Sequence, residues 1–145
     1  MPRVSYWMVR LALVHLFLGF TVGAWLLLYK AQWLAGIPGL RALHVELVLL
    51  GFMVQLAVSV AWWILPRVRG ERPADQGAWI AGVLFTLGVW FVGLGAVGSI
   101  PKLQWAGRIL ELMGLMGWAR LLWPRILAAN RHHAAQPEGT SSEAP

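Results

Sequence analysis

Long apolar runs, separated by short clusters of charge, proline and glycine, set the pattern of this chain. The first run extends from about Trp7 to Tyr29, carries no charge from Leu11 onward, and closes at Lys30, Gln32 and the turn Gly36-Ile37-Pro38-Gly39. A second run, from about Leu40 to Leu65, stops at Pro66-Arg67. The third, from about Ala78 to Ile100, has no charged residue and ends at Pro101-Lys102. The fourth, from about Leu103 to Leu127, is interrupted by Arg108, Glu111 and Arg120. A helical span needs roughly 20 apolar residues, and each run reaches that length. The pattern predicts an all-α, four-helix integral membrane bundle over residues 1–129. The linker Arg67–Gln76 reads as a water-facing loop, and residues 130–145, with two prolines and a Ser/Thr/Glu-rich end, as a disordered tail.

Composition agrees with that reading. Hydrophobic residues make up 59% of only 145, more than a small soluble domain can bury. The net charge of +6 comes mostly from Arg that flanks the apolar runs, which points to topology and lipid headgroups rather than to nucleic acid. Arg3, Arg10, Arg67, Arg69, Arg72, Arg120, Arg125 and Arg131 fall on one side, and Lys30, Arg41, Lys102 and Arg108 on the other. The imbalance predicts that both termini are cytoplasmic, in the inner (plasma) membrane. The run Leu11–Tyr29 is too long for a cleaved signal peptide. Trp7, Trp33, Trp79, Trp105 and Trp123 fall near expected interfaces, where aromatic belts form.

The third run contains Gly82, Gly88, Gly93, Gly95 and Gly98, and the fourth Gly107, Gly114 and Gly117. Close helix packing is the first reading of such a stripe; a flat surface for a planar ligand is the second. The second and fourth runs both end in a Pro-Arg stop, Leu65-Pro66-Arg67 and Trp123-Pro124-Arg125, a faint internal similarity.

Polar groups within the runs are few, and each invites a functional reading because burial in lipid is costly. They are His15, His44, Glu46, Gln55, Arg108 and Glu111, with Arg120 near one end. The absence of cysteine excludes disulfides, thiolate metal centres and covalent C-x-x-C-H haem. At about 100° per residue, Gly51, Gln55 and Trp62 share the face of His44, and Glu46 lies opposite. An imidazole above a glycine suits a porphyrin: a nitrogen for iron, and no side chain where the ring lies. The alternative is a buried His bonded to a neighbouring helix. At about 1.5 Å rise per residue, His15 lies about 18 Å from His44 in depth, too far to share one iron. His15 then reads as a packing residue or the ligand of a second site. Met113 and Met116 offer thioethers, which iron accepts in His/Met cytochromes but which more often fill space. Arg108 and Glu111 form an ion pair at i, i+3, or Arg108 and Arg41 hold haem propionates. His132 and His133 read as solvent-exposed.

The stretch His44-x6-Gly51, then Ser59, then Trp62-Trp63-Ile64-Leu65-Pro66-Arg67 resembles the second transmembrane helix of subunit I of haem–copper oxidases and nitric oxide reductases. The resemblance implies that His44 ligates a low-spin haem b near the outer face. Ser59 stands where the family has a second glycine. The chain also lacks the histidines of the catalytic centre and the second ligand of the low-spin haem. It therefore does not build an oxygen- or nitric-oxide-reducing enzyme by itself. A two-fold axis along the membrane normal would bring two His44 side chains to one depth, so a homodimer could complete the coordination.

Three functions follow from these readings. The first is a small b-type haem protein that transfers electrons or handles haem beside a respiratory complex, with His44 as metal ligand, Arg41, Gly51 and Arg108 around the cofactor, and His15 and Met113 as weaker candidates. The second is a haem-free accessory or assembly subunit of a terminal oxidase or nitric oxide reductase. A small transporter, with Glu46, Gln55 and Glu111 lining its path, is the third. A Soret band on the purified protein separates the first from the other two.

Overall fold

The computed structural model describes residues 1–65 and 75–134. Within them the chain forms four helices: α1 (Arg3–Lys30), α2 (Leu40–Ile64), α3 (Asp75–Val97) and α4 (Pro101–Ala134). The linker from Pro66 to Ala74, the Arg67 half of the Pro-Arg similarity and the tail from residue 135 lie outside the described residues. Helices α1, α2 and α3 are long and apolar enough to cross a membrane. Helix α4 is the longest, with 34 residues, and the most polar. It runs to Ala134, beyond the boundary at residue 130 expected for the tail. The segment Ala128-Ala129-Asn130-Arg131-His132-His133-Ala134 contains no glycine or proline to stop a helix, and the next breaker is Pro137.

The α3–α4 hairpin shows what the glycines do. A Cβ at Gly107 would lie 2.7 Å from the main-chain nitrogen of Val92, and one at Gly114 would lie 2.7 Å from that of Phe85. Gly88 meets the main chain of Gly107 and Glu111 in the same way. The two helices are thus in backbone contact, which only a hydrogen side chain permits. The stripe is helix packing, and the flat-surface reading fails because the neighbouring helix already covers it. The connection is correspondingly tight. The amide of Ile100 donates to Gly95 O at 2.8 Å, and Pro101 opens α4, where a missing N–H costs nothing.

At the same end, Gly39 starts α2 with φ +74°, and a Cβ there would lie 2.1 Å from Ala96 O. The α1–α2 connection therefore rests directly on the end of α3. Inside α2, residues Glu46–Val54 widen into a π-helix. The amide of Gln55 reaches back five residues to Leu50 O.

Beside an apolar core that includes Leu47, Trp62, Phe85 and Trp118, several polar side chains are buried and many large apolar ones are exposed. Ser5, His15, Glu46, Gln55, Ser59, Glu111 and Arg125 are buried. Phe17, Phe20, Leu27, Ile109, Leu112 and Trp123 are exposed.

Candidate functional site

Helices α1 and α2 are joined by a reciprocal pair of histidines. His44 on α2 donates from Nδ1 to Gly19 O on α1 at 2.8 Å, and His15 on α1 donates from Nδ1 to Gly51 O on α2 at 3.0 Å. Carbonyl oxygens only accept, so the Nδ1–H tautomer follows in both rings. Each imidazole lies against a glycine of the opposite helix. A Cβ on Gly23 would lie 2.8 Å from His44 Cε1, and one on Gly51 would lie 2.9 Å from His15 Cγ. The spacing Gly19-x3-Gly23 on α1 is a close-approach signature. It is the signal in the sequence that a side chain of α2 comes close to α1 at this level.

This arrangement corrects the expected role of Gly51. The bare patch below His44 receives the ring of His15, which is fully buried, and so is not open to a porphyrin. Trp90 lies against the other side of His15, with ring centroids 5.8 Å apart. The expected depth offset of about 18 Å is also too large. His15 is level with Gly51 and His44 with Gly19, so the two rings are separated by about 6–10 Å along the axes at 1.5 Å per residue. Gly51 and Gln55 keep to α1 with His44, Gln55 donating to Met8 O at 3.4 Å. Trp62, seven residues beyond Gln55 on the same face, packs with Val4 and Met8 of α1 and with Trp118 of α4, the two tryptophan ring centroids 5.7 Å apart.

His44 differs from His15 in what remains free. The Nε2 of His15 is buried without a hydrogen-bond partner. The Nε2 of His44 is neither bonded among the described residues nor sealed off, and the ring lines an open groove of about 610 Å³ between α1 and α2. Phe20, Gly23 and Ala24 form its α1 wall, and Lys30 and Arg41 stand with His44 around the rest. A planar apolar ring with two acidic substituents would meet apolar side chains, among them Phe20, Leu26, Leu27 and Val45, a fixed imidazole lone pair and two cations there.

The remaining candidates are elsewhere. Arg108 bridges Glu46 on α2 and Glu111 on α4, the latter at 2.7 Å. Both carboxylates are buried. Glu46 and His44 do face opposite ways, as the helical pitch implies. Arg108 is therefore committed to carboxylates on the far side of α2, which corrects its expected place at propionates beside His44; Lys30 stands at the groove instead. Met113 and Met116 are exposed on the outer surface of α4, away from His44, so neither thioether is brought to that ring.

Arg125 is one of the positive residues assigned above to the cytoplasmic side. It is fully buried, donates to Trp62 O at 2.9 Å and to Leu65 O, and stacks on the Trp62 ring at 4.7 Å. It thus closes the carbonyl end of α2 from α4. Among the described residues no cluster of three or more His, Cys, Asp or Glu forms a metal site. No protein-family model, curated protein or solved structure matches the chain.

Proposed function

We propose that the chain is an integral membrane protein of four spans and that the α1–α2 groove is a b-type haem site with His44 Nε2 as axial ligand. The surface supports insertion. Its apolar exterior suits lipid, and its polar groups are directed inward. Helix α4 joins the other three as a span on this reading, because Glu111 and Arg125 face the interior and the exposed side carries Ile109, Leu112, Met113 and Met116. The positive residues at the ends set both termini on the cytoplasmic side.

One observation carries the haem assignment: the Nδ1 of His44 is held by a main-chain carbonyl while its Nε2 remains available at an open groove. A hydrogen bond of this kind fixes the tautomer and the ring plane of a metal-ligating histidine. Lys30 and Arg41 would pair with the propionates. Haem, when bound, supplies a one-electron couple. The chain holds the imidazole in place and sets two cations beside the groove. The groove opens away from the bundle, so a second copy, or a larger respiratory complex, can complete the coordination there.

Reduced-minus-oxidised spectra of the purified protein test the proposal. A Soret band at near-stoichiometric haem, lost in His44→Ala and kept in His15→Ala, supports it. A colourless protein, or a spectrum unchanged by His44→Ala, overturns it and favours a haem-free accessory subunit.

A further inference from the structure

A second groove, of about 360 Å³, separates α1 from α3 on the side away from His44. Its walls are the apolar faces of Met8, Leu11 and Val14 on α1 and of Val83 and Leu87 on α3. Two tryptophans, Trp7 and Trp79, stand at the end nearest the N-terminus. Met8 packs directly on Gly82, so residues on α3 are level with those 74 positions earlier on α1. By that register Thr86 is level with Ala12, about 3 Å deeper than Arg10. Thr86 Oγ1 is buried without a hydrogen-bond partner.

Among the described residues that line this groove, Arg10 is the one that carries a charge. Its guanidinium lies 4.1 Å from the centroid of the Tyr6 ring and 5.8 Å from that of Trp7. Stacking uses the flat faces of a guanidinium and leaves its N–H edges free for an anion. The groove thus presents an exposed cation among amphipathic rings at its end, and beyond it an apolar trough.

We infer that this groove binds an anionic phospholipid, its phosphate on Arg10 at the groove's end and one acyl chain along Leu11, Val14, Val83 and Leu87. The inference rests on the membrane part of the proposed function and is independent of haem. Because lipid tails gain nothing by leaving other lipid tails, the preference comes from the headgroup charge. Positive groups near the cytoplasmic surface favour anionic lipids.

The test is native mass spectrometry of the full chain released from nanodiscs of equal phosphatidylcholine and phosphatidylglycerol. The expected result is retention of phosphatidylglycerol over phosphatidylcholine by about fivefold, the scale of one basic residue at headgroup level. Arg10→Gln removes the preference. Val14→Trp, which fills the trough and spares Arg10, reduces retention of both lipids while circular dichroism stays helical. Equal retention of the two lipids by the wild type, an unchanged preference in Arg10→Gln, or capture of a quinone instead overturns the inference. Failure of the protein to enter nanodiscs overturns it together with the membrane reading, whereas failure of the lipid preference alone leaves that reading intact.

Discussion

His15 and His44 each donate a ring N–H to a main-chain oxygen of the other's helix, at 3.0 Å to Gly51 and 2.8 Å to Gly19. Two chemically identical side chains thereby acquire different capacities. His15 is enclosed and serves as a strut between α1 and α2. His44 is held in one tautomer with its second nitrogen accessible. Placement relative to the groove, and not residue type, separates the structural imidazole from the candidate ligand.

Gly23 makes that placement possible, since a Cβ there would lie 2.8 Å from His44 Cε1. Gly23→Leu is expected to push the ring off Gly19 O, at a cost of about 1–3 kcal/mol for overpacking. Thermal unfolding in detergent measures the cost. The haem-to-protein ratio should fall with it, and more than in Ala24→Leu, which narrows the groove without touching the ring contact.

Much of the fold was legible because each helix is one long apolar run closed by a glycine, a proline or a charge. The ends of α1, α2 and α3 agree with the expected runs to within four residues. The end of α4 was less visible, since Ala128-Ala129 continues a helix as readily as it begins a tail. The site was only half legible. The constant angle of 100° per residue correctly opposed Glu46 to His44 and grouped His44, Gly51 and Gln55 toward one neighbour. It could not register the π-helical stretch Glu46–Val54. Nor could one helix's pattern reveal that the glycine beneath an imidazole is occupied from the other side.

Arg108 serves two buried carboxylates at once. Arg108→Gln would leave Glu46 and Glu111 facing each other without a cation, an uncompensated burial that costs about 3–5 kcal/mol. The triple replacement Glu46→Leu, Arg108→Met and Glu111→Leu should recover most of that loss, since an apolar trio needs no pairing. Unfolding by graded SDS on the single and triple variants reads both outcomes. A triple variant no more stable than the single one would show that these groups do more than balance one another's charge.

The buried Arg125 offers a sharper case, because its donors end on the last carbonyls of α2, at Trp62 and Leu65. Arg125→Lys keeps the charge and loses the fork that reaches two oxygens. A loss of about 1.5–3 kcal/mol is expected, the worth of hydrogen bonds to a charged group. Hydrogen exchange should localise the change, with amides in the last turn of α2 exchanging faster and those near His44 unaffected.

The glycines of the α3–α4 hairpin differ in how close the neighbouring backbone comes, and stability should follow that distance. At Gly114 an added methyl would lie 2.7 Å from a main-chain nitrogen, whereas at Gly77 the nearest atom is Leu121 Cδ2 at 3.5 Å. A side-chain carbon can move aside, but a helix backbone moves only by displacing every residue attached to it. Gly114→Ala is therefore expected to destabilise the protein by about 1–3 kcal/mol or more. Gly77→Ala meets ordinary van der Waals contact and gains helix propensity, so it should be neutral or stabilising by up to about 1 kcal/mol. The two variants add the same single carbon to the same helix pair. If their midpoints in SDS titration moved equally, backbone contact would not be what holds α3 against α4, and the apolar residues flanking the glycines would have to carry the interface instead.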